Sequence, residues 1–200
     1  MQESANDKKA KALEELYQRI KKDKTLKSEL LGSRLVPGEG CLSPRLLFIG
    51  EAPGKDEDRL IRPFVGAAGR NLDKLLSGAD IARNEVFITN LVKFRPVSDK
   101  RRGKNRKPSK AESKAALLYL EEEVKIIKPK TIVCLGASSG EAILGRNIQM
   151  KRDNGKLFEW HEFKVFISLH PSPLNFNNPD KRKALEEAFE ELRRLSRITE

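Results

Sequence analysis

Side chains that bind metal ions are scarce in this sequence, which has two cysteines and two histidines among its 200 residues. Cys41 and Cys134 are too few for a four-thiolate iron–sulfur cluster or a structural zinc site, and they lie far apart in the chain. Cys134 falls in the apolar run TIVCL at 131–135, where it is expected to be a small core residue. Cys41 follows the turn sequence GEG and is given no role. The sequence therefore predicts no metal or organic cofactor.

Long hydrophobic runs are also lacking. No apolar stretch approaches the roughly 20 residues of a membrane-spanning helix. Residues 1–11 mix acids with lysines in place of the apolar core of a secretion signal. We therefore expect an intracellular protein of the cytoplasm or nucleoid without a membrane partner. A length of 200 residues suits one domain over residues 1–200 with a substantial core, and a hydrophobic share of 38% is typical of globular proteins. We also expect a monomer.

Acidic residues are outnumbered, since 40 Lys and Arg face 29 Asp and Glu for a formal net charge of +11. Such a balance is typical either of a solvated surface rich in Lys and Glu, as in thermophiles, or of a protein with a polyanionic partner. The distribution favours the second, because nine of the 18 residues at 93–110 are basic and Asp99 is the only acid among them. We predict that residues 93–110 form a loop that contacts the phosphates of a nucleic acid.

Hydrophobic periodicity divides the chain into alternating helices and strands. An N-terminal helix is predicted within residues 1–25, and Ser109 and Glu112 have the spacing of a capping box at the start of another helix. The predicted helices cover about 7–22, 69–77, 109–127, 139–144 and the segment after 178. The predicted strands cover 46–49, 85–89, 131–135 and 164–169. This alternation predicts a three-layer α/β/α sandwich with a short, mainly parallel central sheet.

Polar residues follow three of the predicted strands. Glu51 comes after the first strand, Asn90 after the second and His170 after the last. Ligands bind beyond the carboxyl ends of the strands in folds of this class, so these side chains are expected to converge on one pocket. Taken alone, an asparagine at a strand end is better explained as a turn or cap residue, and a histidine before proline is usually structural.

Three motifs in chain order carry a family resemblance. They are GEAPGKDED at 50–58 followed by PFVGAAG at 63–69, ITNLVK at 88–93, and HPSPLN at 170–175. Together they resemble the uracil-DNA glycosylase superfamily, and most closely its family-four branch, whose usual members carry an iron–sulfur cluster. The resemblance runs from about Leu26 to the last helix. It implies a uracil-DNA glycosylase-like fold and a role in base excision repair of DNA.

The resemblance implies roles for four side chains of the pocket. Phe64 would stack on the flipped base, and Asn90 would pair with uracil O4 and N3–H, because an amide offers a donor and an acceptor in one plane. His170 would donate a hydrogen bond to uracil O2 as negative charge develops there. Glu51 would position or deprotonate the attacking water and offset the positive charge of the sugar.

Specificity against thymine is assigned by the same resemblance. Glu57 matches, by its spacing from Glu51, the family residue that crowds the pyrimidine C5 position, although Asp56 and Asp58 are adjacent and a slip of one residue would change the assignment. The implied substrate-binding set is Gly50, Ala52, Pro53, Glu57, Phe64 and Asn90.

Contacts to DNA are expected from two segments. In the HPSPLN segment Leu174 would occupy the space of the flipped base, unless it is simply an exposed loop leucine, and Ser172 would hold a phosphate. In the basic loop the expected DNA contacts are Lys100, Arg101, Arg102, Lys104 and Arg106.

The chain departs from the family-four pattern where the cluster cysteines would be. The corresponding positions hold Asp23, Leu26, Phe94 and Ala116, none of which supplies a thiolate. We therefore expect apolar side chains, among them Leu26 and Phe94, to fill the space of the cluster.

The basic loop is similar to that of a superfamily subgroup that captures uracil-DNA covalently through a histidine. That subgroup has a glutamine after its motif glutamate and a histidine after Lys-Arg-Arg, whereas this chain has Ala52 and Gly103 at those places. Covalent capture is therefore not expected. Ala52 also stands where the best-known branch has its catalytic aspartate, so Glu51 has to suffice for turnover.

The sequence thus predicts a monofunctional uracil-DNA glycosylase that hydrolyses the N-glycosidic bond of uracil in single- or double-stranded DNA and leaves an abasic site. Two alternatives stay open. One is a slow or non-catalytic protein that binds uracil-containing or damaged DNA. The other is a glycosylase for another deaminated base such as hypoxanthine.

Overall fold

The computed structural model describes residues 4–26, 34–99 and 103–198. Within these ranges no helix combines the length and the apolar character that crossing a membrane requires. The helices are α1 (Ala5–Lys22), α2 (Lys55–Leu60), α3 (Ala67–Gly78), α4 (Lys110–Ile127), α5 (Ala137–Leu144), α6 (Met150–Asp153), α7 (Pro173–Phe176) and α8 (Pro179–Ile198). The strands are β1 (Glu39–Gly40), β2 (Leu46–Gly50), β3 (Phe87–Asn90), β4 (Thr131–Leu135), β5 (Lys156–Trp160) and β6 (Phe163–Ser168).

The described strands form one sheet in the order β1-β3-β2-β4-β6-β5. The four inner strands are parallel, and β1 and β5 pair antiparallel at the two edges. All residues of β2, β3 and β4 are buried, as expected for parallel strands that are covered on both faces. Gly50 pairs with Asn90 in the β2–β3 register, so the two strands end at the same edge of the sheet. The mainly parallel sheet predicted from the sequence is confirmed.

Helices cover both faces of this sheet. On one face α1 and α4 pack against alternate strand residues such as Leu47 and Ile132. On the other face α3 and α8 pack against the intervening residues, and the ring of Phe48 stacks on that of Phe189 with centroids 5.9 Å apart. Successive side chains of a strand point to opposite faces, so each strand contributes to both cores. The predicted three-layer α/β/α sandwich is confirmed.

Local capping signals account for where two long helices begin. The Ser109 hydroxyl accepts from the Glu112 amide at 3.1 Å, and the Glu112 carboxylate accepts from the Ser109 amide at 2.7 Å. This reciprocal pair is the predicted capping box, and it satisfies two amide donors at the start of α4. Ser4 and Asp7 form the same arrangement before α1.

The hydrophobic pattern does not predict α2, α7 or β5. Helix α2 has no buried residue and therefore no apolar period, and α7 is a single turn that the Ser172 side chain caps. Strand β5 lies at the sheet edge with largely exposed side chains, so it lacks the apolar run that identifies the inner strands.

Candidate active site

The carboxyl ends of β2, β3 and β6 surround a cavity of about 390 Å³. Beyond the ends of β2 and β3 the Leu91 amide donates to the Gly50 carbonyl (2.9 Å), and the Val92 amide donates to the Glu51 carbonyl (3.0 Å). The segments that follow the two strands therefore stay paired up to the cavity. The lining includes these residues predicted for the site: Glu51, Ala52, Pro53, Glu57, Phe64, Asn90, Arg106 and His170. The structure therefore brings the three sequence motifs together at one edge of the sheet.

Gly50, predicted to contact substrate, lies behind the lining of the cavity. A Cβ atom on Gly50 would stand 2.4 Å from Asn90 Oδ1 and 2.7 Å from Phe64 Cζ, which is closer than such atoms approach. The absence of a side chain here lets the Asn90 amide and the Phe64 ring come together. Gly50 thus shapes the cavity through its two neighbours.

Three of the lining side chains are of the types that recognise a planar base. The ring centroids of Phe64 and His170 are 6.0 Å apart with an angle of 35° between the planes. Asn90 is 3% exposed and ends β3 beside Phe64. A ring face together with an amide and an imidazole can stack on a heterocycle and hydrogen bond to its edge.

The backbone of Asn90 is held by a buried ion pair between Lys93 and Glu123. The Lys93 ammonium donates to Thr89 Oγ1 (2.7 Å), to the Asn90 carbonyl (2.6 Å) and to Glu123 Oε2 (2.6 Å). Burial lowers the pKa of Lys93, and the Glu123 carboxylate opposes that shift. The prediction of a DNA-contacting loop over 93–110 was wrong for Lys93, because this ammonium lies in the protein interior.

The Glu57 carboxylate joins the two halves of the first motif. Its Oε2 accepts from the Gly54 amide at 3.1 Å, while Oε1 accepts from the amides of Val65 (3.1 Å) and Gly66 (2.8 Å). The last of these amides belongs to the N-cap of α3, where a negative charge is favourable. These three donors distinguish Glu57 from its two neighbours, of which Asp56 also lines the cavity and Asp58 does not. Glu57 is therefore a rigidly held part of the cavity wall.

His170 follows β6, and two side-chain amides that donate to backbone carbonyls hold the turn around it. Asn175 Nδ2 donates to the His170 carbonyl at 2.9 Å, and Asn71 Nδ2 donates to the Pro171 carbonyl at 3.0 Å. Burial lowers the pKa of His170 to about 4, although the nearby Glu57 carboxylate acts in the opposite direction. The imidazole is therefore neutral at physiological pH, and a neutral imidazole still donates one N–H.

We expect His170 to remain neutral from pH 8 down to about pH 5. Burial disfavours the charged imidazolium, so protonation requires a pH near 4 instead of the usual value of about 6.5. The His161→Gln variant leaves His170 as the only histidine, and its imidazole carbon and proton shifts can be followed by NMR titration. A midpoint near 6.5 would show that the ring is solvated and that this expectation is wrong.

Two predicted DNA contacts lie in the loop after β6. Leu174 is 79% exposed, which suits a side chain that enters DNA as well as a plain surface leucine. The Ser172 hydroxyl accepts from the Asn175 amide and caps α7. Both residues follow His170 within four positions, and neither of them lines the cavity.

The described part of the basic loop folds against the cavity. Lys104 is exposed. The Arg106 guanidinium donates to both carboxylate oxygens of Glu112 at 2.7 Å and to the Val97 carbonyl at 3.0 Å. The Glu112 hydrogen bonds raise the pKa of Arg106. Arg106 therefore fixes the loop at the cavity, whereas Lys104 projects into solvent. The predicted contacts Lys100, Arg101 and Arg102 lie outside the described residues.

Asn105 and Pro96 line the cavity, and no sequence feature indicates them. Arg95 Nε donates to Asn105 Oδ1 at 2.7 Å, which orients the Asn105 amide. Neither residue follows a strand, so the argument from strand ends does not reach them. The fold of the loop alone brings them to the site.

The positions that correspond to cluster cysteines do not fit an iron–sulfur group. Leu26, Phe94 and Ala116 are buried in the same apolar core, and the Asp23 carboxylate accepts a hydrogen bond from the Tyr119 hydroxyl at 2.7 Å. These side chains supply one carboxylate and no thiolate, whereas such clusters are held by thiolates. In the described part of the chain, no group of three His, Cys, Asp or Glu side chains is arranged to hold a metal ion.

Comparison with known proteins agrees with this geometry. The family model of the Uracil DNA glycosylase superfamily matches residues 37–193. A Type-4 uracil-DNA glycosylase of Sulfurisphaera tokodaii is 38% identical over 194 residues, which cover 92% of this chain and 85% of the relative. One of Thermotoga maritima is 36% identical over 179 residues (88% and 90%). A Type-5 uracil-DNA glycosylase of Pyrobaculum aerophilum is 32% identical over 181 residues (82% and 76%).

Proposed function

This chain belongs to the uracil DNA glycosylase superfamily, and from that premise we propose that it removes uracil from DNA by monofunctional hydrolysis and leaves an abasic site. The relatives from Sulfurisphaera tokodaii and Thermotoga maritima are named uracil-DNA glycosylases, and they are similar to most of this chain. The enzyme is therefore a uracil-DNA glycosylase of DNA repair. The finer parts of the proposal are the hydrolytic reaction and the roles of individual residues.

The observation that carries the proposal is the convergence of Glu51, Phe64, Asn90 and His170 on one cavity. A base inside a duplex cannot be reached, so the nucleotide has to leave the stack before reaction. In our proposal the flipped uracil stacks on Phe64, and the Asn90 amide pairs with O4 and N3–H. Uracil is thereby held with its glycosidic bond next to Glu51.

In the proposed reaction the bond between N1 of uracil and C1′ of the sugar breaks, and a water oxygen bonds to C1′. The sugar is cation-like as the bond breaks, and the Glu51 carboxylate offsets this charge and accepts the proton of the water. Uracil leaves as an anion whose O2 receives a hydrogen bond from the neutral His170 imidazole. The free base is then protonated from solvent.

We propose that Glu57 provides the wall against the C5 position of the pyrimidine. Its carboxylate accepts three backbone hydrogen bonds, so it cannot swing aside to admit the methyl group of thymine. Ala52 and Pro53 complete the adjoining wall of the cavity.

DNA is the substrate of the family, and we propose that two segments hold it. Leu174 would fill the gap left by the flipped nucleotide, with Ser172 at a neighbouring phosphate. The basic loop would contact further phosphates through Lys100, Arg101, Arg102 and Lys104, while Arg106 holds the loop in place. We further propose that a single domain acts as a monomer on DNA inside the cell.

The test is single-turnover reaction with uracil-containing single- and double-stranded oligonucleotides. We expect free uracil to appear while the strand stays intact until alkali is added, because hydrolysis leaves an abasic site. Strand cleavage without alkali would contradict the monofunctional reaction. Binding of uracil DNA without any release would favour the DNA-binding alternative. Release of base only from a matched oligonucleotide that contains hypoxanthine in place of uracil would favour a glycosylase for that base.

A further inference from the structure

Phe64 adopts a backbone conformation that its residue type disfavours. Its φ is +52°, in the left-handed region, where the Cβ atom of an L-residue crowds the carbonyl oxygen. The ring is nevertheless 5% exposed and fixed in the cavity wall. Such a conformation persists only where the surroundings impose it. Some group must therefore hold the backbone around Phe64.

Arg83 makes the contacts that can do this. The residue lies in the 3₁₀ turn Arg83–Glu85 before β3, and its Nη2 donates to the carbonyls of Pro63 (3.1 Å) and Phe64 (3.2 Å). The other nitrogen, Nη1, donates to Asp73 Oδ1 in α3 at 2.6 Å. One rigid guanidinium thus ties the motif loop to two other elements, as its planar set of donors allows.

Gly69 in α3 also lies close to the same carbonyl. A Cβ atom on Gly69 would stand 1.9 Å from the Phe64 oxygen, so only glycine admits the carbonyl there. The carbonyl of Phe64 therefore contacts both α3 and the Arg83 guanidinium. If Arg83 were lost, this carbonyl would lack its donor and the backbone could relax toward a commoner φ.

We propose that Arg83 is a positioning residue of the base pocket, which holds the carbonyls of Pro63 and Phe64 and thereby fixes the ring plane on which the flipped uracil stacks. This inference rests on the proposed function. Arg83 itself does not line the cavity, so it acts through Phe64.

Arg62 offers a matched control. It pairs with Glu39 at 2.8 Å, and Arg83 approaches the same carboxylate at 3.5 Å. Its side chain is 62% exposed, against 28% for Arg83. Arg62→Met and Arg83→Met therefore each remove one positive charge beside Glu39, but only the second variant releases the two loop carbonyls and the Asp73 carboxylate.

The experiment compares single-turnover uracil release by the wild type with Arg83→Met, Arg62→Met, Phe64→Ala and the Arg83→Met/Phe64→Ala double variant. We expect Arg83→Met to slow release between about tenfold and a hundredfold, because small misplacements of bound groups have effects of this size. Arg62→Met should stay within about twofold of the wild type. In the Phe64→Ala background Arg83→Met should have no further effect, since coupled residues are not additive.

Equal rates for Arg83→Met and Arg62→Met, or an additive loss in the double variant, would overturn the proposal. Arg83→Lys keeps the positive charge but lacks the planar guanidinium that donates to both carbonyls. If Arg83→Met does not fold, Arg83→Lys tests the positioning role in its place. It should also be slower than Arg62→Met, and an unchanged rate would overturn the proposal.

Hydrogen exchange separates this inference from the proposed function. The Val65 amide next to Phe64 donates to Glu57, so it should exchange faster in Arg83→Met than in Arg62→Met. Absence of uracil release by the wild type would contradict the proposed function alone. Unchanged exchange at Val65 in Arg83→Met would overturn the positioning role of Arg83 whatever the activity.

Discussion

Glu51→Gln should slow single-turnover uracil release by about 10²- to 10⁴-fold, the range over which a positioned acid or base contributes to catalysis. The substitution keeps the shape of the side chain in the cavity. It removes the negative charge that offsets the cation-like sugar and the oxygen that accepts the proton of water. Because Glu51 follows β2 directly and its carbonyl accepts the Val92 amide, its backbone position should not change.

Release of labelled uracil from a single-stranded oligonucleotide at saturating enzyme measures this effect, and binding of the same oligonucleotide shows whether the variant still holds DNA. Glu159→Gln is the control, because it makes the same chemical change at an exposed position of β5. We expect the control to match the wild type. A Glu51→Gln rate within tenfold of the wild type would contradict this role of Glu51. Another polar group of the cavity, such as Asn105, would then have to position the attacking water.

The inner sheet and the long helices could be predicted because their signals are local. Strand β4 is a continuous apolar run that is buried on both faces, and α4 begins at a capping box that Ser109 and Glu112 form within one turn. Helix α2 has no such signal. It buries no side chain, and its position depends on Glu57, which accepts amides from both halves of the motif loop.

The site could be predicted where it depends on topology. Glu51 and His170 follow parallel strands and Asn90 ends one, and parallel strands end at one edge of a sheet. Asn105 lines the same cavity from a long loop whose place depends on the pair between Arg106 and Glu112. No periodicity or motif in the sequence encodes that contact, so this part of the wall could not be inferred.

Charge was the least reliable guide, because composition does not say which charges are buried. Lys93 is one of the nine basic residues that indicated a DNA-contacting loop, yet its ammonium lies beside Glu123 in the core. Its three hydrogen bonds match the three donors of an ammonium group, which indicates a structural role. The contacts with phosphate that are expected of Lys100, Arg101, Arg102 and Lys104 stay a prediction.

A second large effect is therefore expected from Lys93→Met, which should lower the free energy of unfolding by about 3–5 kcal/mol. The variant leaves the Glu123 carboxylate in the interior without its counter-ion, while the Tyr17 hydroxyl at 2.6 Å and the Thr89 hydroxyl at 3.1 Å still donate to it. The Asn90 carbonyl loses a donor as well. Urea denaturation measures the change, with Lys125→Met on the exposed side of α4 as a control expected to stay within about 0.5 kcal/mol.

The double variant Lys93→Met/Glu123→Gln separates the ion pair from the packing around it. Glutamine keeps an acceptor for the Tyr17 hydroxyl but carries no charge, so the interior no longer holds an unpaired ion. We expect the double variant to be more stable than Lys93→Met alone, although removal of two groups is usually worse than removal of one. If the double variant loses as much stability as the Lys93→Met and Glu123→Gln single variants lose together, the cost lies in packing. The buried charge is then not what makes Lys93 necessary. If the double variant recovers stability yet releases uracil slowly, the donor from Lys93 to the Asn90 carbonyl also positions the base-reading amide.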